Sequence, residues 1–123
     1  MAFVLIVDDD VDLLEMVSYA LKINGMTVEC LDQGALLMTK VVDRKPDIIL
    51  MDIYLGDSDG RDLCRILKTD PALQMIPVIL YSAGHIPMET VKQSLADEFI
   101  SKPFSITHLV DQITRRTAAG SSN

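Results

Sequence analysis

Tryptophan is absent, and the other aromatics are three Tyr and three Phe among 123 residues, so any core must be aliphatic, built from Leu, Ile, Val and Met. The only cysteines, Cys30 and Cys64, stand in no metal-like spacing, and His85 and His108 have no second ligand at metal spacing. The histidines therefore read as surface residues, and the cysteines as two buried small apolar groups in a reducing compartment. No apolar run reaches the roughly 18 residues of a membrane span. The start, Met1-Ala2-Phe3-Val4, lacks the basic region of a signal peptide. A cytoplasmic protein with no membrane partner is the expectation. Basic residues are few, 11 against 18 acidic for a net charge of −7, which argues against direct nucleic-acid binding. Neither GxxxxGK[ST] nor GxGxxG occurs, which speaks against a nucleotide as a direct phosphoryl donor. The twelve-residue loop with terminal Glu that an EF-hand needs is also missing.

What remains is an ordinary globular composition, 49% apolar and 24% charged, of a length that fits one domain. The acids are lopsided: 14 Asp against 4 Glu, with eight of the Asp in the windows 8–12 and 52–62. Asp is a poor helix former but a good cap, loop and cation-binding residue, so its clustering carries more information than the net charge.

Phe3 to Val7 is an unbroken apolar run ending in Asp8-Asp9-Asp10, the pattern of a strand covered on both faces. Leu13, Leu14, Val17 and Leu21 then recur at helical spacing, with Asp10 or Asp12 as cap and Asn24-Gly25 as stop. Thr27 to Leu31 reads as a second strand, and Leu36, Leu37, Val41 and Val42 as a weaker second helix. Asp47 to Met51 repeats the first pattern and ends in Asp52; Leu63, Ile66 and Leu67 mark a third helix behind Asp57, Asp59 and Gly60, which read as loop and cap residues. Pro77 to Tyr81 is a fourth strand ending in Ser82; Met88, Val91 and Leu95 suggest a less apolar fourth helix. Glu98 to Ser101 is a short fifth strand ending at Lys102-Pro103, and Ile106, Leu109, Val110 and Ile113 give a fifth amphipathic helix. The domain is expected over 1–117, with a flexible tail at 118–123.

Alternating strands and helices predict an α/β, doubly wound (βα)5 domain with a parallel sheet. In such sheets ligands sit at the carboxyl ends of the strands. Those ends carry Asp8 and Asp9, Asp52, Ser82 and Lys102. Carboxylates brought together there repel by about 4 kcal/mol per pair at 4 Å and an effective dielectric of about 20. Lys102 and a hard divalent cation are the candidates to offset this, and all-oxygen ligation with retained water suits Mg²⁺. Carboxylate nucleophile, cation, ammonium and hydroxyl together suit phosphoryl transfer.

Four segments, VLIVDDD (4–10), DIILMDIYLGDSDG (47–60), PVILYSA (77–83) and ADEFISKPF (96–104), occur in this order. With them the chain resembles the response regulator receiver domain of two-component signalling, over roughly residues 3–116. The resemblance implies a flavodoxin-like five-stranded sheet in order 2-1-3-4-5, like the chemotaxis regulators. It implies Asp52 as phosphoacceptor, with Lys102 and Ser82 contacting the phosphoryl group. It implies Mg²⁺ held by Asp8, Asp9, Asp52 and the backbone carbonyl of Tyr54. Ser82 and Phe99 would form the switch, and the Lys102–Pro103 peptide would be cis. The donor would be a sensor histidine kinase or a histidine phosphotransfer protein, and the recipient of the signal a downstream protein or an output domain. Gly56 stands where many members carry Pro, predicting a more mobile loop, and Leu95 where Gly is common, which bears on the fourth helix.

On this reading the protein is a phosphorelay switch rather than a turnover enzyme. The rival is a Mg²⁺-dependent phosphatase with an aspartyl nucleophile; it needs an acid two residues after the nucleophile, where this chain has Tyr54. An FMN-binding module would place a hydroxyl-rich phosphate loop after the first strand, where this chain has acids. A stand-alone regulator and one domain of a longer chain both fit.

Overall fold

The computed structural model describes residues 2–121, and the side chains of residues 2–117. The elements run β1 (Phe3–Val7), α1 (Val11–Ile23), β2 (Thr27–Leu31), a 3₁₀ turn (Gly34–Leu36) leading into α2 (Leu37–Asp43), and β3 (Ile48–Asp52). They continue with α3 (Gly60–Thr69), β4 (Val78–Ser82), α4 (Met88–Gln93), β5 (Glu98–Ser101) and α5 (Ile106–Ser121). The five strands form one sheet in the order β2-β1-β3-β4-β5, and every pairing is parallel.

The three central strands are buried along their whole length because helices cover both faces, so no position is left to alternate toward water. Alternate residues serve two cores. Leu5, Val7, Ile49, Met51, Val78 and Leu80 pack with Leu37 and Val41 of α2 and with Cys64 and Leu67 of α3. Val4, Ile6, Ile48, Leu50, Ile79 and Tyr81 pack with Leu14, Val17 and Leu21 of α1 and with Leu109 and Ile113 of α5. Each fully buried aliphatic side chain contributes roughly 1.5–3 kcal/mol, which is how a core with few aromatics suffices.

Several sequence expectations need correction. The helical apolar stripes are narrower than the periodicity suggests: Leu36, Val42 and Ile66 face solvent, and Met88 and Leu95 are exposed while Ile86, ahead of α4, is buried in their place. Cys30 is exposed on the edge strand β2, and only Cys64 is buried. Burial pushes the Cys64 thiol up to about 12, leaving it an apolar filler. The α5 backbone runs to Ser121; the rest of the expected tail, the side chains from 118 onward and residues 122–123, lies outside the described residues. Among the described residues, no helix is long and apolar enough to cross a membrane.

Candidate functional site

The register places the site. Val7 pairs with Met51, Asp52 with Tyr81, and Ser82 with Ser101, so the residues following β1, ending β3 and β4, and following β5 share one edge. Asp8 continues β1 by donating its N–H to Leu31 O at 3.0 Å, and Lys102 continues β5 by donating to Ser82 O at 2.9 Å. The Lys102–Pro103 peptide is cis, as the resemblance implied.

Asp8 is wholly buried, Asp52 nearly so, and Asp9 is exposed. One oxygen from each of the three lies within 4.8 Å of the others. The Lys102 ammonium stands between the two buried acids, with Nζ 3.3 Å from Asp8 Oδ2 and 3.4 Å from Asp52 Oδ2. One ammonium against three carboxylates leaves the cluster acidic. Burial and the neighbouring Asp8 raise the Asp52 carboxyl above its ordinary value, with Lys102 pulling the other way. A compact, all-oxygen, net-negative donor set open to solvent on the Asp9 side is what a hard divalent cation takes, so these residues fit Mg²⁺ by their chemistry.

The remaining predicted residues divide. Ser82 is buried at the end of β4, where its Oγ accepts from the Gly84 N–H at 3.3 Å. Phe99, opposite Leu80 on β5, is partly buried against the α2/α3 core. The Tyr54 side chain is exposed beside the site, with the Arg61 guanidinium 5.5 Å from its ring centroid. Asp10 caps α1, accepting from Leu13 N–H, and Asp59 caps α3, accepting from Arg61 N–H at 2.8 Å. Two Arg61 nitrogens also meet the Asp59 carboxylate, and these bonds hold it below the usual carboxylate range.

The loop between β3 and α3 is tied rather than loose. Leu55 N–H donates to Ser58 O and Gly60 N–H to Ile53 O. Both Asp57 oxygens accept backbone N–H bonds at 3.0 Å, from Gly34 and Ala35. Gly56 adopts φ 82°, which a proline ring cannot, so glycine here serves a different turn and not simply a softer one. At Gly60 a Cβ would fall 2.3 Å from the Asp52 carbonyl oxygen, so the chain folds back on its own acceptor strand only with glycine there.

Two contacts escaped the sequence reading. Tyr81 donates its hydroxyl to Asp8 Oδ2 at 2.8 Å, and its ring centroid lies 4.9 Å from Lys102 Nζ. The signal available was a residue with an apolar body and a polar tip just before Ser82, at the end of an aliphatic run. Burial, then Asp8, raise the Tyr81 hydroxyl well above its ordinary value, so it stays a donor. Arg61 also reaches Thr90 Oγ1 of α4 at 3.0 Å, a link across elements that no local pattern reveals.

With this geometry in place, comparison with known proteins settles the class. The response regulator receiver domain family model matches residues 4–114, and the chain belongs to that family. It is 37% identical to the phosphate regulon transcriptional regulatory protein PhoB of Pseudomonas aeruginosa, over 97% of this chain and 54% of that protein. It is 32% identical to the DNA-binding response regulator MtrA of Mycobacterium tuberculosis, over 92% of this chain and 49% of that one. The chain thus spans about half the length of the curated relatives it matches. Among solved structures, the receiver domain of a signal transduction histidine kinase from Syntrophus aciditrophicus superposes with a TM-score of 0.90 at 31% identity, covering 100% of this chain and 95% of that one. The chemotaxis protein CheY4 of Vibrio cholerae gives 0.86 at 25% identity, covering 94% and 98%. These matches favour neither the phosphatase nor the flavin alternative. The expectation of no nucleic-acid contact finds no support in them, since MtrA is named as DNA-binding.

Proposed function

We propose that this domain accepts a phosphoryl group on Asp52 from a phosphohistidine donor, a sensor histidine kinase or a histidine phosphotransfer protein. The observation that carries the reading is the pairing of a buried Asp52 with Lys102 Nζ at 3.4 Å, next to Asp8 and Asp9 oxygens within 4.8 Å. An Asp52 carboxylate oxygen attacks phosphorus as the donor's P–N bond breaks, the electron pair leaves with the imidazole, and an acyl phosphate forms on Asp52. Lys102 is placed to hold a phosphoryl oxygen as a point charge. Asp8, Asp9, Asp52 and the Tyr54 carbonyl would hold Mg²⁺, which supplies charge neutralisation to the crowded acids and the phosphoryl oxygens. Ser82 would turn its hydroxyl to the new group, and Phe99 would move into the space behind it, biasing a two-state surface toward a partner.

The domain acts as a switch that assists its own modification, in the cytoplasm, as a unit of about 1–117. Its output goes to a downstream protein or a further domain; by analogy with the relatives named as DNA-binding, that output includes DNA. The test is incubation with a small-molecule phosphodonor, with and without Mg²⁺, followed by intact mass. One added phosphoryl group that requires Mg²⁺ and vanishes in Asp52→Ala is expected. No uptake by the wild-type domain, or uptake unchanged in Asp52→Ala, overturns the reading.

A further inference from the structure

The buried Asp8 carboxylate accepts three hydrogen bonds: Oδ1 from the Asp10 N–H at 2.9 Å, and Oδ2 from the Tyr81 hydroxyl at 2.8 Å and from Lys102 Nζ at 3.3 Å. The shortest comes from Tyr81, which is itself buried and pairs in register with Asp52. Its ring is braced edge-on by Phe104, with centroids 5.6 Å apart and planes at 66°. The same ring lies 4.9 Å from the Lys102 ammonium. One side chain therefore touches both the acid expected to hold a cation and the cation expected to hold the phosphoryl group.

We propose that Tyr81 is a positioning residue with two separable parts: its hydroxyl orients the Asp8 carboxylate for Mg²⁺, and its ring steadies Lys102 for the phosphoryl group. The inference rests on the phosphoacceptor reading above. A carboxylate has rotational freedom about its last bond, and a short bond from a braced phenol removes it in advance of metal binding. Hydrogen bonds of this kind, made to a ligating carboxylate by a neighbour that is not itself a ligand, typically govern metal affinity by ten- to a hundred-fold. A ring face within about 6 Å of an ammonium attracts it, and more strongly where water is excluded. The bonds from Asp10 and Lys102 do not replace the phenol: Asp10 N–H donates to the other oxygen, Oδ1, and the Lys102 bond to Oδ2 is long, at 3.3 Å.

Two substitutions separate the parts. Tyr81→Phe keeps the ring, its contact with Phe104 and its place against Lys102, and deletes only the hydroxyl. Titration calorimetry of the unphosphorylated protein with Mg²⁺ alone is expected to show affinity about ten-fold weaker. The rate of phosphorylation by a small donor at saturating Mg²⁺ should fall far less than that. Tyr81→Leu removes the ring as well, and its rate at saturating Mg²⁺ should drop below that of Tyr81→Phe. General loosening of the fold would lower affinity and maximal rate together in both variants, and circular dichroism monitors it separately.

Should neither variant fold, the wild-type contact can be read directly. In a Tyr19→Phe, Tyr54→Phe background Tyr81 is the one tyrosine left, and Mg²⁺ should shift its near-ultraviolet absorbance with the same midpoint as the calorimetric isotherm. Wild-type Mg²⁺ affinity in Tyr81→Phe, or an unmoved Tyr81 spectrum, overturns the positioning role while leaving phosphorylation of Asp52 standing. A wild-type protein that takes no phosphoryl group, yet loses Mg²⁺ affinity in Tyr81→Phe, overturns the phosphoacceptor reading and keeps the contact.

Discussion

Residues 53–60 and 83–96 both leave the carboxyl edge of the sheet beside Asp52, and each contains one residue in the left-handed region, Gly56 at φ 82° and Leu95 at φ 67°. The first segment is bound at many points: the Asp57 bonds to Gly34 and Ala35, the turn closed by Leu55 and Ser58, the Asp59 cap and the Gly60 approach to Asp52. The second carries a helix of six residues whose N-cap, Pro87, offers no side-chain bond, and which buries Val91 as its one large apolar side chain. Glycine takes the left-handed turn without steric cost, whereas leucine there costs roughly 1–2 kcal/mol. The contrast has a physical sense. The loop that follows Asp52 holds its backbone steady beside repelling acids, and α4, which is short, buries one large apolar side chain and is followed by a strained residue, is the cheaper of the two to move.

The contrast can be broken most severely at Gly60. Gly60→Ala sets a Cβ against the Asp52 carbonyl, and backbone on both sides must shift. A loss of about 3 kcal/mol or more in urea unfolding is expected, with phosphorylation of Asp52 lost alongside; a loss under about 1 kcal/mol would mean that the loop is not pinned.

At the other segment the same kind of exchange runs in reverse. Leu95→Gly relieves the left-handed strain and is expected to stabilise by about 1 kcal/mol, partly offset by glycine's greater freedom when unfolded. Leu95 is 46% exposed, so the apolar surface that its side chain does cover offsets a further part of that gain. A destabilised Leu95→Gly protein would show that the side chain, not the backbone, matters there.

A third and smaller effect sharpens the comparison through pH. The Asp52 carboxyl is raised in the folded state by burial and by Asp8, so the folded protein holds that proton more tightly than the unfolded chain does. Its ionisation therefore opposes folding: the contribution is most favourable below the unfolded value and is lost as pH rises through the folded one. Asp52→Asn should stabilise the protein at neutral pH by on the order of 1 kcal/mol. That gain should disappear as the pH falls below the ordinary carboxylate range, as thermal unfolding across a pH series would register. For Asp59, held down by Arg61, the sign is opposite, and its contribution disappears as pH falls through its lowered value.

How far the sequence could be read follows from the range of the forces involved. Unbroken apolar runs ending in acid, Phe3–Val7 and Ile48–Met51, are what strands covered on both faces require, and they marked β1 and β3 and placed Asp8 and Asp52 at their ends. Apolar spacing found the buried stripe of α1 but overstated that of α4, where the short helix turns Met88 outward and Ile86 is buried instead. Cys30 was misjudged because an edge strand has a neighbouring strand on one side only and is less fully covered than a central one, and the edge is set by strand order, not by residue type.

By itself, then, the order of residues determined the class of fold, the strand ends that meet at one sheet edge, and the Asp, Ser and Lys that occupy them, because period and punctuation act over a few neighbours. Tertiary structure alone decided that Tyr81 would bond Asp8 across 73 positions of chain, that Asp57 would secure the start of the second crossover, and that Arg61 would reach Thr90. Those contacts depend on register and on how closely backbones approach, and both arise only once five strands have paired and their helices have packed over them.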